Sequence, residues 1–186
     1  MIGPAFDSVL AAARGGDEAA FAALWRDLNP GLLRYLQVVA PAWAEDVASE
    51  VWLEVTVGLG RFSGPESGFR AWVFTVARQR AVDAARYAAR RPVLPVPVEA
   101  LADRAGPDDP ADAAVERLST EAALGLLAEL PADQAEVIAL RVIAGLDVAR
   151  VAEIVDKRPG TVRVLAHRGL RRLAQRLAQR TQRAEV

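Results

Sequence analysis

From Lys157 to Arg183 the chain carries nine Lys and Arg side chains and no Asp or Glu. Such a segment suits a polyanion. Each guanidinium is a planar fork that fits phosphate oxygens or the O6/N7 edge of guanine. A face that is merely solvated usually mixes signs. Just ahead lies a short apolar-periodic segment, Asp147 to Val155, then a turn, Asp156–Lys157–Arg158. Pro159 and Thr161 open a longer pattern with Val162, Leu165, Gly169, Leu173 and Leu177 on one side. Short helix, turn and second helix make the layout of a helix-turn-helix, whose second helix lies in the major groove with its first turns at the base edges. Arg158, Thr161, Arg163, Val164, His167 and Arg168 are the candidates there, and Val164 suits a thymine methyl. Arg171, Arg172 and Arg176 lie further along and suit backbone phosphates. His167 is the only histidine. It reads as a surface contact, because catalysis would need a nucleophile and an orienting group beside it.

A second candidate is FRAWVFTVARQRAVDAAR, residues 69–86. Phe69, Trp72, Val73, Val76 and Ala77 share one helical face. Gln79, Asp83, Arg86 and Arg90 share another. Aromatics interleaved with arginines suit single-stranded nucleic acid, where bases stack and cations follow the phosphates. Phe69 and Trp72 fit a helix core equally well.

The elements that would carry these residues are helical, since period-two alternation is nearly absent. Asp17 caps a helix reaching Val39, with Phe21, Leu24, Trp25, Leu28, Leu32, Leu33 and Leu36 as an inward stripe. Pro30 predicts a kink or break within it, and Pro41 ends it. A second helix runs from about Ala44 through Leu59, 61–68 is a loop, and a third helix spans about Phe69 to Arg90. Five prolines among acidic residues make 92–112 an extended linker. A helix then runs from Ala113 to Leu130. Pro131 opens another to about Ala144, Gly145 stops it, and Asp147 caps the next. The fold class is all-α: two small helical domains, 1–91 and 113–186, joined by the acidic linker 92–112, the second domain containing the helix-turn-helix.

Charge follows the same division. Residues 1–91 are net neutral, 92–136 carry a net −8, and 137–186 a net +7. Blocks so unlike suggest different partners. The chain has no cysteine and one histidine, so disulfides and the usual zinc ligand sets are excluded. No secretory leader is visible and no apolar run approaches the ~20 residues of a membrane helix. The expectation is a cytoplasmic protein without cofactor, metal, membrane insertion or small-molecule substrate.

Three runs in order carry a resemblance: AEDVASEVWLEV (44–55), GRFSGPESGFRAWVFTVARQRAVDAAR (60–86) and LPADQAEVIALRVIAGLDVARVAEIVDKRPGTVRVLAHRGLRRL (130–173). Together, across an acidic Pro-rich linker, they resemble the sigma-70 family of bacterial RNA polymerase sigma factors, in its extracytoplasmic-function subgroup. The likeness covers residues 17–177. It implies a promoter-specificity subunit rather than an enzyme. Glu45, Asp46, Ser49, Glu50 and Trp52 would bind the β′ clamp helices of core polymerase, although relatives often carry glutamine where Ser49 stands. Phe62, Ser63, Gly64 and Phe69, with Gln79, would capture an extruded base of the −10 element, and Trp72 and Asp83 would also bind that element. Arg78, Arg80 and Arg86 would hold strand phosphates. The linker would lie in the RNA path, and the C-terminal domain would read the −35 element and touch the β flap. Relatives often have Ser-Arg where this chain has Val164 and Leu165. An anti-sigma partner is also implied. Two other readings stay open: a stand-alone helix-turn-helix regulator of duplex DNA, and a helical interaction protein without nucleic acid.

Overall fold

The computed structural model describes residues 1–90 and 120–184. The linker 92–112 and the start of the helix expected from Ala113 lie outside the described residues. Within them the secondary structure is helical, with no strand. The helices are α1 (Phe6–Arg14), α2 (Glu18–Val39), α3 (Ala44–Gly58), α4 (Glu66–Arg90), α5 (helical across 120–128), α6 (Ala132–Ile138), α7 (Val148–Val155) and α8 (Pro159–Ala184).

α2 is the helix on which the others are assembled. The Asp17 carboxylate caps it, accepting from the Ala20 amide at 3.0 Å, which satisfies a donor with no partner inside the helix. Leu24, Leu28, Leu32, Tyr35 and Leu36 are buried along it. α1, α3, α4 and α6 all pack against this helix. Pro30 neither breaks α2 nor ends it. Its ring is exposed, and the apolar packing on both sides of it outweighs one missing backbone hydrogen bond. Trp25 does not join the stripe and stands 42% exposed.

Buried hydrogen bonding fixes α3 on α2. Trp52 Nε1 donates to Asn29 Oδ1 at 2.9 Å, and both residues are buried. Phe21 meets the same indole edge-on. A buried polar pair of this kind is costly to leave half-made.

Sequence periodicity placed the first helix at Asp17, but α1 precedes it and buries Phe6, Leu10 and Ala13. Their spacing is the i, i+4, i+7 stripe of a short amphipathic helix. α4 begins at Glu66, three residues before the expected Phe69. The reason is tertiary: the Glu66 carboxylate accepts the amides of Ile2 and Gly3 at 2.6 and 3.0 Å, anchoring the start of the chain on the first turn of α4. The helix expected from Pro131 to Ala144 changes character midway. After α6 it widens into a π turn, Ala139–Ile143, closed by the Ala144 amide on the Ala139 carbonyl. Arg141 donates to the Leu146 carbonyl across Gly145.

One hydrophobic cluster runs from Phe6 to Ala81 and on through Val137, Leu140, Val151 and Leu165. α2 touches α6 and the π turn, and α4 touches α7. At this junction Tyr35 is buried, edge-on to Phe74 at 5.5 Å. Its hydroxyl donates to Glu136 Oε1 at 3.3 Å, and Arg78 Nε donates to the same oxygen at 2.9 Å. Burial, and then the neighbouring Glu136 carboxylate, push the Tyr35 phenol well above its ordinary value.

Two outcomes follow. Asn29→Ala, which strands the Trp52 N–H, lowers unfolding free energy by about 1–3 kcal/mol, read from urea melts. The raised Tyr35 value means its neutral form contributes stability that is complete below the ordinary tyrosine pKa of about 10 and lost as pH rises through the higher folded value. Tyr35→Phe therefore shows a shallower alkaline loss of stability than the parent chain in melts between pH 9 and 12.

Candidate nucleic-acid interface

The helix-turn-helix is built from local signals. Asp147 caps α7, its carboxylate accepting the Arg150 amide at 2.8 Å. α7 ends on Asp156, which is left-handed at φ 52° and turns the chain toward α8. That conformation is uncommon outside glycine, and aspartate is among the residues that tolerate it. Val151, Ala152, Ile154 and Val155 are buried on one side of the turn, Val162 and Leu165 on the other. Gly169 sets how closely α8 crosses α6: a Cβ there would sit 2.5 Å from Ile138 Cδ1 and 3.4 Å from Gln134 Cβ.

At 100° per residue, Arg163, Val164, His167, Arg168 and Arg171 fall opposite the buried stripe. All are exposed, as are Arg158 and Thr161. Among the described residues no carboxylate pairs with Arg158, Arg163, Arg168 or Arg171. Arg172 is different, donating to the buried Gln134 at 3.0 Å. Arg176 and Arg180 are ion-paired with Glu129. Unpaired cations are therefore concentrated on the first four turns of α8.

The second candidate face is arranged differently. Phe62 stacks on Trp72, centroids 5.4 Å apart and planes 14° apart, and meets Phe69 edge-on at 5.3 Å. Gly64 has φ +149°, and a Cβ there would lie 3.4 Å from the Phe62 ring. Ser63 and Gly64 are exposed on this aromatic base. Phe69 is only 1% exposed and also packs on Phe6. It supports the loop from below and offers no surface to a base, so direct base contact by Phe69 is corrected to a supporting role. Gly58 also belongs to this site, although it bears no side chain that sequence periodicity could place. A Cβ there would stand 2.7 Å from Trp72 Cζ2, so its missing side chain is the seat of the indole.

The arginines of α4 are largely committed. Arg80 makes two hydrogen bonds to Glu54 at 2.6 and 2.9 Å. Those bonds and the Glu54 charge raise its pKa above the ordinary value. Arg86 lies 3.6 Å from Asp83, and Arg78 is held by Glu136. Gln79 is exposed.

On α3, Glu45, Asp46, Ser49 and Glu50 are exposed, and the Ser49 hydroxyl donates back to the Glu45 carbonyl. Trp52, expected to meet a partner, is 8% exposed and bonded to Asn29. The correction has a simple cause: its indole N–H finds its acceptor inside the fold. Sequence reasoning missed Leu53 and Val57, which are 69% and 84% exposed and lie at helical spacing on the same face as Asp46 and Glu50. The signal was present, because apolar residues on α3 occupy more of its circumference than one core-facing stripe needs. Among the described residues, no helix is long and apolar enough to cross a membrane, and no cluster of His, Asp or Glu could hold a metal ion.

A helix-turn-helix with an exposed basic face, beside a helical unit with an aromatic-lined loop, is the make-up of a nucleic-acid-binding protein. Two family models match: Sigma-70 region 2 over residues 20–91 and Sigma-70, region 4 over residues 120–173. SigD of Mycobacterium tuberculosis, an ECF RNA polymerase sigma factor, is 34% identical over 180 residues, covering 93% of this chain and 84% of that one. ShbA of Streptomyces griseus, also an ECF RNA polymerase sigma factor, is 36% identical over 171 residues, covering 85% and 87%. Among solved structures, RpoE of Bartonella quintana in complex with the anti-sigma factor NepR shares the fold, with a TM-score of 0.62 at 22% identity over 85% of this chain and 96% of that one. CnrH in complex with the cytosolic domain of CnrY does so at 0.61 and 20% identity, over 92% and 96%. The chain belongs to the sigma-70 family of RNA polymerase sigma factors, in its ECF group. The region 2 match disfavours a stand-alone duplex regulator.

Gly58→Ala gains roughly 1 kcal/mol of helix propensity but drives a rigid indole from its seat, an overpacking of about 1–3 kcal/mol. The expected result is a net loss of stability, with a shifted tryptophan emission spectrum as Trp72 leaves its stack on Phe62.

Proposed function

We propose that this sigma factor reads promoters at two points, through three surfaces with separate tasks. The first turns of α8 enter the major groove of the −35 element. Arg158, Thr161, Arg163, Val164, His167 and Arg168 reach base edges, while Arg171 sits at phosphates and Arg172, bonded to Gln134, holds α8 on α6. The basic face at the start of α8 carries this reading: Arg158 in the turn and Arg163, Arg168 and Arg171 on the helix are exposed and have no carboxylate partner among the described residues, so they bind a polyanion with little internal competition.

The loop Phe62–Pro65 receives an extruded base of the −10 element. Extrusion loses stacking in the duplex, and the Phe62–Trp72 platform returns stacking in the loop. Ser63, Gly64 and Gln79 supply edge contacts, and Arg78, Arg80 and Arg86 follow the strand once their carboxylates release them. The outer face of α3 docks on the β′ clamp helices. Its acidic residues Glu45, Asp46 and Glu50 favour a basic partner, and Leu53 and Val57 supply apolar area beside them.

The C-terminal half also meets the β flap. The protein works in the cytoplasm, supplies no catalytic group of its own, and is restrained by an anti-sigma factor. Support for that restraint comes from RpoE, which was solved with NepR.

Transcription in vitro with core polymerase and this chain, followed by sequencing of the start sites, tests the whole reading. Discrete start sites are expected, and background initiation alone would overturn it. Arg168→Ala weakens −35 duplex binding by about 1–3 kcal/mol with polymerase affinity unchanged, and equal loss of both would refute that assignment. The double variant Leu53→Asp/Val57→Asp loses at least tenfold in polymerase affinity by titration, while unfolding free energy moves by no more than about 0.5 kcal/mol per exposed site.

A further inference from the structure

Glu136 holds the two halves of the molecule together through groups from the other half. It projects from α6 and accepts at one oxygen from Arg78 of α4, 58 positions earlier, and from Tyr35 of α2, 101 positions earlier. Arg78 and Glu136 are 29% and 19% exposed, so water screens this pair less than a surface pair. Around it the contact is continuous and apolar. Tyr35 and Phe74 are fully buried, Ile143 packs on the main cluster, and α7 lies along α4. At Gly31, a Cβ would lie 3.6 Å from the Ile143 carbonyl, so the π turn lies within one side-chain methyl of α2.

This arrangement cannot read two promoter elements at once. A folded body of this many residues is roughly 40 Å across. Elements centred about 25 base pairs apart lie on the order of 80 Å apart along a duplex, at 3.4 Å per base pair. The packed state also occupies Arg78, one of the three α4 arginines assigned to strand phosphates.

We propose that Glu136 is a latch: with Arg78 and Tyr35 it keeps the free chain closed, withholding Arg78 from single-stranded DNA until the halves part. The closing contact rests on the geometry alone, while the withholding of a DNA-binding group rests on the strand-capture reading above. Removing the carboxylate leaves the apolar contact without its polar clasp and frees Arg78.

The test uses the full chain without polymerase. The protein contains no cysteine, so cysteines introduced at the exposed positions Ala11 and Ala128 are unique labelling sites for inter-label distance measurement. Binding of a labelled, mixed-sequence single-stranded DNA of twelve nucleotides is followed by anisotropy at fixed salt. Glu136→Ala is compared with Asp133→Ala, which changes charge equally at an exposed position on the same helix. Should Glu136→Ala not fold by circular dichroism, Glu136→Gln takes its place.

The latch requires a narrow distance distribution in the parent chain and in Asp133→Ala, and a longer, broader one in the Glu136 variant. It also requires strand binding at least fivefold tighter in the Glu136 variant than in Asp133→Ala. An unchanged distance distribution overturns the latch. A widened distribution with strand binding no tighter than in Asp133→Ala overturns the withholding of Arg78. Neither readout involves promoter-directed initiation, so failure here is distinct from failure of the transcription assay.

Discussion

Burial of α2 on several sides is the constraint on which the structure depends. Leu24 and Leu28, Leu32, Tyr35 and Leu36 follow one another along the helix with almost no exposure. Against them lie α1, α3, α4 and α6. An apolar helix so enclosed gains most of its stability from packing, not from propensity. That is why Pro30 and Gly31, both poor helix formers, are tolerated in its middle. At Gly31 a Cβ would be in ordinary contact with the Ile143 carbonyl, 3.6 Å away, so the position is crowded by tertiary packing although no close approach demands glycine there.

Arginine serves two purposes here, and its neighbours decide which. On α4 the guanidiniums face carboxylates from other elements: Arg70 meets Asp27, Arg80 meets Glu54 and Arg78 meets Glu136. On the outer side of α8 no carboxylate among the described residues pairs with Arg163, Arg168 or Arg171, and we assign that charge to an external polyanion. The bond from Arg172 to Gln134 and the pairing of Arg176 with Glu129 mark where α8 returns to structural duty. A count of basic residues along α8 would have treated all of these alike.

Aromatic residues divide in the same manner. Phe69 and Trp52 have the composition of contact residues but are consumed by the core, one under the loop and one bonded to Asn29. Phe62 and Trp72 keep partial exposure because Gly58 and Gly64 leave room for their rings. On α3 the burial of Trp52 moves the contact surface to Leu53 and Val57. These residues looked like core by type and lie outside it by position.

Much of the local architecture was legible in advance. Helical periodicity, the aspartate caps at positions 17 and 147, the glycine stop at 145 and the helix-turn-helix layout are all short-range features, and each was found where the residues placed it. The stripe of α1 was equally readable and was overlooked. Helix bounds near Glu66, the π turn after Ile138 and the outward turn of Trp25 were not legible, because each depends on what packs against it. The sequence by itself determined the helices, their caps and the sign of charge along each, since these follow from neighbours within about four residues. Only the tertiary structure decided which arginines are paired, which aromatics reach the surface and that Glu136 clasps Tyr35 and Arg78. The physical reason is distance along the chain: partners 58 and 101 residues away leave no periodic trace, and packing alone brings them within a hydrogen bond.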